Sequence, residues 1–454
     1  MMRRVNALLY RADARFREWL LARPQAWLLA LLNACVLLGF ALIMLTRALG
    51  ALPGAGILER LPAVLLLCAP LYVMLHAACA AGKSRGDGLF AHALLAVVCA
   101  AAMLARVSFI DHVSSDYDIY LSDWLSQFAS RTFAQSMREN IGEYNVLYQY
   151  ILFLITRLPV PPLYAVKAVS FIGDAFLASA AAQLAGRDGR KSTAALCAVL
   201  LLPVCVLNGG MFAQCDSLYA ACALWGLAHA LSGRPAKGAA CFALSIAFKL
   251  QAAFILPIVA VLYAGRRLRL ADALVFLLAL LACAVPALLG GKSLGQILAI
   301  YTGQTGLYTG LTYNAPTLFG LMNTSGLDVY AYGNFGMALA LGAALALLCV
   351  CVPRALGMDE GAYLRLALLL VLAVVFLLPR MHERYFFMAD ILAVALAAKD
   401  GRYTPAAGLI ALASLSRYLD MGLPLFAASA MMLAALLMVL HTGKSTCEKQ
   451  KPCV

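Results

Sequence analysis

Long apolar runs, each of about 20 residues, recur along the chain and decide what it can fold into. A run of that length crosses the ~30 Å hydrocarbon core of a bilayer as an α-helix, because a backbone in lipid has to satisfy its own hydrogen bonds. Barrel strands would be shorter and would alternate apolar with polar residues, whereas these runs are continuous and rich in Ala and Leu. With 64% hydrophobic and 13% charged residues, the sequence predicts an all-α, polytopic membrane protein whose residues 1–454 form one membrane-embedded domain.

The net charge of +13 comes from Lys and Arg in short segments between the apolar runs. Such segments are typical of cytoplasmic loops, and anionic lipid headgroups are their natural counterpart. We therefore predict contact with the lipid bilayer and no nucleic-acid partner. The 14 cysteines lie mostly within the runs and lack metal-ligand spacing, which favours small buried side chains. Residues 1–25 form a long basic lead without a cleavage site behind a short apolar core, which indicates a cytoplasmic N-terminus rather than a cleaved signal peptide.

The basic segments also decide which loops face the cytoplasm. Placing them inside predicts about fourteen crossings of the plasma (inner) membrane, with both termini and the tail 441–454 cytoplasmic. The predicted crossings are 26–47, 60–80, 89–106, 162–186, 192–208, 214–232, two half-helices within 238–264, and then 270–290, 334–352, 363–379, 385–398, 404–417 and 422–440.

Two segments interrupt this regular alternation. Residues 238–264 have basic residues at both ends and Lys249 in the middle, so we predict a hairpin of two half-helices with Lys249 at its outer tip. Residues 146–156 are apolar but too short for a crossing, and prolines follow them. Within the outer loop 107–161 we therefore predict a re-entrant or interfacial helix, which is tolerated where protein or water satisfies its backbone.

The unusual polar residues of the chain all fall on the predicted outer side, whereas the predicted inner loops are short, basic and plain. We therefore expect the active site to be extracytoplasmic. The candidate site residues are Asp116, Asp118, Gln214, Asp216, Lys249, Gln251, Asn314, Arg380, His382, Glu383, Arg384 and Tyr385.

Ordinary explanations exist beside the functional ones. Asp116 could be a solvated loop acid, Gln214 and Asp216 could cap a helix, and the chain of Lys249 could simply extend outward from lipid. However, ionisable groups at membrane depth are functional candidates, and the guanidinium fork of Arg suits phosphate oxygens. The sequence pair Asp116 and Asp118 could also hold a divalent metal, as such pairs do in nucleotide-sugar enzymes.

One carboxylate facing several cations suits transfer of a sugar from a lipid phosphate. A base that deprotonates the acceptor hydroxyl contributes about 10²–10⁴-fold, and cations stabilise the charge on the departing phosphate. A single displacement would invert the anomeric centre. A donor of this kind carries no nucleotide, so we expect no cofactor and no metal at Asp116 and Asp118. A long polyprenyl tail on the donor would explain why the site is embedded in a membrane.

Five short motifs occur in a fixed order along the chain. They are Ser-Asp-Tyr-Asp at 115–118, Gly-Met-Phe-Ala-Gln-Cys-Asp-Ser-Leu-Tyr at 210–219, Phe-Lys-Leu-Gln at 248–251 with Leu-Pro at 256–257, Tyr-Asn-Ala-Pro at 313–316 with Leu-Phe at 318–319, and Leu-Pro-Arg-Met-His-Glu-Arg-Tyr-Phe at 378–386. The string Met-His-Glu-Arg-Tyr is the specific one, and the order of the five adds to it. Together they resemble the motifs of bacterial integral-membrane GT-C glycosyltransferases, a family related to the second mannosyltransferase of GPI-anchor synthesis and to dolichyl-phosphate-glucose-dependent glucosyltransferases.

The resemblance implies a GT-C fold and an inverting hexosyltransferase that uses a polyprenyl-phosphate-hexose, with mannose or glucose as the sugar. It implies the base role for Asp116 rather than Asp118. It also implies that His382 binds the donor phosphate or sugar, supported by Lys249 and Arg384.

The sequence departs from the family pattern at three positions. Ser115, Phe212 and Thr317 stand where the family has Gly, Trp and a second Asn. These departures leave the class intact but leave the hexose and the acceptor open, and the acceptor could be a glycan, a glycolipid or a protein.

Two other classes of function compete with the glycosyltransferase. A transporter or flippase of a lipid-linked glycan should show paired broken helices in two related halves, whereas the sequence predicts one such hairpin. A noncatalytic scaffold would not need the charged cluster at 380–384.

Overall fold

The computed structural model describes residues 24–51, 56–83, 89–303 and 309–442. Apart from its last two residues, the predicted basic lead 1–25 lies outside the described residues, as do Arg85 of the first predicted inner loop and the tail beyond residue 442. The described chain is mostly helical, as the apolar runs predict. Its α-helices, α1 to α19 in chain order, are Pro24–Ala51, Ile57–Lys83, Leu89–Val107, Ser122–Ala129, Phe133–Arg138, Val146–Ile155, Pro162–Ala185, Gly189–Leu201, Pro203–Gly210, Asp216–Leu231, Pro235–Phe248, Ile258–Ala264, Asp272–Leu289, Leu294–Gly303, Val329–Cys351, Glu360–Leu377, Phe387–Lys399, Thr404–Tyr418 and Leu425–Thr442.

Shorter elements connect these helices. A π-helix, Tyr117–Leu121, leads directly into α4. Two-residue strands β1 (Thr312–Tyr313) and β2 (Met381–His382) pair in parallel. The 3₁₀ helices are Leu250–Phe254, Leu318–Leu321, Val352–Gly357, Glu383–Phe386 and Gly401–Tyr403.

Eight stretches of the described helices are long and apolar enough to cross a membrane, or nine if α8 and α9 count as one broken span. The bend of 46° between α8 and α9 falls at Leu202, immediately before Pro203. Proline cannot donate the backbone hydrogen bond that would continue α8, so the helix breaks there. These helices confirm the predicted all-α polytopic architecture.

The predicted count of fourteen crossings stays a prediction. The predicted crossings at 214–232, 385–398 and 404–417 correspond to α10, α17 and α18, which have 16, 13 and 15 residues. At 1.5 Å per residue these helices are about 20–24 Å long, which is shorter than the ~30 Å hydrocarbon core. The re-entrant or interfacial position of α6, a helix of 10 residues, is likewise untested.

The predicted break near Lys249 is present. Helix α11 ends at Phe248, Lys249 has an extended backbone with φ −156° and ψ 140°, and the 3₁₀ helix Leu250–Phe254 follows. A backbone that leaves the helix here turns Lys249 away from the helical pattern of its neighbours. Whether the two halves form a hairpin across the membrane stays a prediction.

Helix α7 is the inner helix of the bundle. Of its apolar stretch 78% is buried, compared with 11% in α1 and 17% in the stretch that contains α15. It packs against α2, α8, α10 and α17, whereas α1 and α15 present most of their surface outward. Outer apolar surface of this kind is what lipid contact requires.

A buried ion pair and a hydrogen bond from the same guanidinium connect α3, α7 and α8. The guanidinium of Arg106, at the end of α3, lies 2.7 Å from a carboxylate oxygen of Asp174 in α7, and both side chains are shielded from solvent. Arg106 also donates to the carbonyl of Leu200 in α8 at 2.8 Å. Removing one member of such a pair leaves a buried charge uncompensated and costs about 3–5 kcal/mol, so this contact fixes how α3, α7 and α8 meet.

The predicted orientation can be tested with single cysteines. Ser130 is exposed where α4 ends, in the predicted outer loop 107–161. A Ser130→Cys variant should react with a membrane-impermeant thiol reagent in intact cells. The matched control is Arg234→Cys, at an exposed position in a predicted inner turn, and it should react only after lysis. The unsubstituted chain gives the background from its own cysteines, and the reverse pattern of labelling would contradict the orientation.

Candidate functional site

Four of the five motifs meet at one cavity of about 680 Å³. Its size suits a small-molecule or cofactor-sized ligand, and its walls combine apolar surface with a few charged groups. Of the candidate residues predicted from the sequence, those that line it are Asp116, Gln214, Lys249, Gln251, Arg380, His382, Arg384 and Tyr385.

Asp116 is held by two donors on one oxygen. The side-chain amide of Gln214 donates to Oδ2 of Asp116 at 2.9 Å, and Nη1 of Arg384 lies 2.8 Å from the same oxygen. The Asp116 side chain is 32% exposed, and no hydrogen bond from the described residues reaches its Oδ1. One carboxylate oxygen is therefore fixed while the other is open to a ligand in the cavity.

Arg384 bridges two carboxylates. Besides Asp116, its Nη1 lies 3.4 Å from Oε1 of Glu383, which stands behind the cavity wall. Burial lowers the pKa of Arg384, but the charges of Asp116 and Glu383 more than offset this, so its pKa is raised. Burial also raises the pKa of Glu383, and Arg384 offsets only part of that effect. Arg384 is thus a firmly cationic group between two acids.

Lys249 is held from behind by a second carboxylate. Its Nζ lies 2.5 Å from Oδ1 of Asp216, the first residue of α10, and both side chains are almost fully buried. The amide of Asn208 donates to the other oxygen of Asp216 at 3.0 Å and also to the hydroxyl of Tyr418 at 2.9 Å. Asp216 therefore does not line the cavity but fixes the ammonium group that does.

The β1–β2 pairing brings the fourth motif to the fifth. Tyr313 and His382 are register partners, and their rings stack at a centroid distance of 5.0 Å with an interplanar angle of 16°. The ring of Tyr385 lies 5.4 Å from that of His382 at an interplanar angle of 54°. Burial, and then the charge of Arg384, lower the pKa of His382 to about 4 against the opposing effect of Asp116. His382 is therefore a neutral imidazole at pH 7.

Strained backbone accompanies these motifs. Among the described residues, five non-glycine residues have a positive φ, and Ala213, Asn314 and Arg380 are three of them. Each such conformation costs about 1–3 kcal/mol and persists only where the surrounding structure holds it. At Arg380 the backbone N–H donates to the carbonyl of Leu311 at 2.8 Å, which continues the β1–β2 contact.

Besides Asp216 and Glu383, two further candidates do not line the cavity. Asp118 is exposed and does not line the cavity. The side-chain oxygen of Asn314 accepts from Nη1 of Arg417 at 3.2 Å, which gives it a bracing position beside His382. Among the described residues no three His, Cys, Asp or Glu side chains are grouped as metal ligands, and the absence of a metal stays a prediction.

An aromatic wall of the cavity was not predicted from the sequence. It consists of Tyr117, Tyr120, Trp124, Tyr144 and the neighbouring acid Glu143. The first three come after Asp116 and are separated from one another by three and four residues, which places them on one helical face, and that spacing could have identified them. The hydroxyl of Tyr144 donates to Gln214 at 3.2 Å, so the wall is joined to the amide that holds Asp116.

Gly142 makes room for this wall. Its φ is +71°, and a Cβ at this position would lie 2.5 Å from the indole ring of Trp124. The backbone therefore lies directly against Trp124, which also meets the ring of Tyr144 edge to face at 5.6 Å. Both the turn and the ring position depend on a residue without a side chain here.

Comparison with known proteins agrees with the motifs. Residues 144–265 match the family model of the MptA_B family, described as alpha-(1->6)-mannopyranosyltransferase, N-terminal domain. This segment contains the second and third motifs, with Gln214, Asp216 and Lys249. No curated protein matches the chain. The family match confirms the resemblance drawn from the motifs, because this segment is similar to the N-terminal domain of a mannosyltransferase family.

The low pKa of His382 predicts a pH-dependent stability. Between pH 6.5 and about 4 the unfolded histidine binds a proton that the folded one excludes, so folding stability falls as the pH falls through this window. The loss is at most about 3 kcal/mol. We expect the thermal unfolding midpoint in detergent to fall between pH 7 and pH 4.5, and to fall less in His382→Phe, which keeps a ring against Tyr313.

Glu383 has a raised pKa and acts in the opposite direction, so the difference between the two proteins isolates the histidine. Equal pH dependence of the variant and the unsubstituted protein would contradict the assignment.

Proposed function

We propose that the protein is an inverting GT-C glycosyltransferase that moves a hexose from a polyprenyl-phosphate-sugar to an acceptor hydroxyl on the extracytoplasmic face. The observation that carries the proposal is the meeting of Asp116 with Arg384 in a cavity that Lys249 and His382 also line. A base and a cluster of phosphate-binding groups then face the same ligand. The family match favours mannose over glucose as the hexose.

Asp116 is the proposed general base. Its open Oδ1 accepts the proton of the acceptor hydroxyl while that oxygen forms a bond to the anomeric carbon of the donor. The bond from the anomeric carbon to the phosphate oxygen breaks, and the lipid phosphate leaves with the electron pair. Gln214 and Arg384 hold Oδ2, so the carboxylate keeps one orientation during the transfer.

The donor phosphate is proposed to lie against Lys249, Arg380 and Arg384. Their positive charges stabilise the negative charge that grows on the leaving phosphate, and no general acid is needed. His382, neutral at pH 7, can donate one hydrogen bond to a phosphate or sugar oxygen. The apolar part of the cavity wall suits the polyprenyl chain, and it includes Leu250, Phe254, Met337, Val374 and Leu378.

The acceptor is proposed to lie on the aromatic wall. Tyr120 is 52% exposed and follows Asp116 on the same helical face, next to Trp124. Aromatic faces suit the apolar face of a pyranose ring, and the carboxylate of Glu143 can accept hydrogen bonds from its hydroxyls. This combination favours a glycan or a glycolipid over a protein as the acceptor.

The base assignment predicts a large and selective loss of rate. Asp116→Asn should lower kcat by about 10²–10⁴-fold, because the amide cannot take up the proton. Asp118→Asn is the matched control, since Asp118 lies two residues away but is exposed and outside the cavity wall. The measurement is transfer from a synthetic polyprenyl-phosphate-mannose by the purified protein in detergent. Full turnover by Asp116→Asn would overturn the base role.

The acceptor position predicts a change in one Michaelis constant only. Tyr120→Ala should raise the KM for a mannose oligosaccharide acceptor by about tenfold, since it removes the exposed ring face, while the KM for the donor stays within about twofold. Tyr120→Phe keeps the face and should behave like the unsubstituted protein. An increase in the donor KM with an unchanged acceptor KM would place the acceptor elsewhere.

A further inference from the structure

A stripe of polar side chains runs along the inner helix α7. Lys167, Ser170 and Asp174 follow one another at spacings of three and four residues, which places them on one face of the helix. All three are buried, at 0%, 0% and 1% exposure. Ionisable groups inside a membrane helix are costly, so a set of this kind indicates a function rather than packing.

Lys167 binds the segment that leads to Asp116. Its Nζ donates to the carbonyls of Phe109 at 2.6 Å, Ile110 at 3.0 Å and His112 at 2.6 Å. These carbonyls lie between the end of α3 and the first motif. A single ammonium group thus binds three carbonyls within residues 109–112, a few residues before the carboxylate.

The same segment is fastened at two further points. The hydroxyl of Tyr164, one turn before Lys167 on α7, donates to a carboxylate oxygen of Asp111. The hydroxyl of Ser114 donates to the carbonyl of Phe212 at 3.1 Å and accepts the N–H of Tyr117 at 3.3 Å. The backbone on both sides of Asp116 is therefore held.

Ser170 holds the partner of Asp116. Its hydroxyl donates to the backbone carbonyl of Gln214 at 2.7 Å, and its own carbonyl accepts from the hydroxyl of Ser217 at 2.9 Å. Gln214 is the residue whose side chain donates to Asp116. One turn of α7 therefore fixes both sides of that hydrogen bond.

Asp174 and Arg106 complete the stripe at its far end. Their ion pair fixes the end of α3, where the segment held by Lys167 begins. Gly210 lies so close that a Cβ there would be 3.2 Å from the carbonyl oxygen of Arg106. The segment before Gln214 is thus packed directly onto the helix end that precedes Asp116.

We propose that this stripe, Lys167 with Ser170 and Asp174, is a positioning device for the catalytic base. Lys167 and Ser170 set the separation of the Asp116 and Gln214 segments, so that Oδ2 of Asp116 meets its donors and Oδ1 faces the acceptor. This inference rests on the proposed function for the role of Asp116. A nonpolar residue at 167 would suit the apolar surroundings, but it would leave three carbonyls unbound and the base segment unfixed.

The test uses Lys167→Met in the full-length protein. We expect kcat to fall about 10–100-fold, because misplacing a catalytic group by about 1 Å costs up to 10²-fold. The donor KM should stay within about twofold, since no donor-binding group is removed. The double variant with Asp116→Asn should be no slower than Asp116→Asn alone, because a positioning residue has nothing left to position.

A matched control is Lys292→Met. Lys292 is also buried, and it donates to the backbone carbonyl of Glu139 and to the side-chain amide oxygen of Asn140. It does not contact the Asp116 segment. We expect its kcat to stay within about threefold. Losses that add in the double variant, or an unchanged kcat in Lys167→Met, would overturn the proposal.

Amide hydrogen exchange separates failure of this inference from failure of the proposed function. Lys167→Met should accelerate amide exchange at residues 108–118, whereas Lys292→Met should accelerate it near residues 138–142. Neither measurement needs a substrate. If the unsubstituted protein transfers no sugar, the proposed function fails, while the exchange rates still test whether Lys167 holds the Asp116 segment.

If Lys167→Met does not fold, Ser170→Ala replaces it. We expect a smaller loss of kcat, which again vanishes in the Asp116→Asn background. Loss in both backgrounds would overturn the proposal.

Discussion

The compensation of charge inside a largely apolar bundle is the constraint on which the rest of this structure depends. A charge in that setting is retained only where another charge or several hydrogen bonds meet it, because the cost of desolvation is otherwise too large. Arg106 with Asp174, Lys249 with Asp216, and Arg384 with Asp116 all meet this requirement at 2.5–2.8 Å. Each pair joins segments far apart in sequence, so the same contacts that make the charges tolerable also decide how the helices assemble.

The pairs divide into two kinds by what lies next to them. Arg106 and Asp174 are closed off by protein on all sides, which makes them part of the framework. Lys249 and Arg384 each have an acid partner and also face the cavity. A cation that is already paired on one side keeps its position when the cavity is empty and still attracts an anion that enters. For the proposed reaction, this arrangement is preorganised for phosphate, so little rearrangement is required when charge develops on the leaving group.

Much of the architecture and of the site follows from the sequence, because both rest on patterns that are local in the chain. The apolar runs predicted a helical membrane protein, and Lys249 in the middle of a long run marked a helix break that the structure contains. The motif strings predicted residues that do line one cavity. The number of crossings could not be settled in this way, since helices such as α17 and α18 are short and their boundaries depend on packing against α7 and α19. The position of Asp118 outside the cavity could not be predicted either, because the direction of its side chain depends on the π-helix that begins at Tyr117.

The pairing of β1 with β2 has a consequence for how the protein is made. The two strands are separated in the chain by α15 and α16, yet His382 takes its position from Tyr313. Ribosomal synthesis delivers the segment with Asp116 and Gln214 long before the segment with His382 and Arg384. The proposed base, Asp116, is therefore synthesised well before its cationic partner Arg384, which arrives with the fifth motif. The proposed donor-binding side is therefore completed late in synthesis, and a chain cut short before residue 380 would carry Asp116 and Lys249 without Arg380, His382 and Arg384.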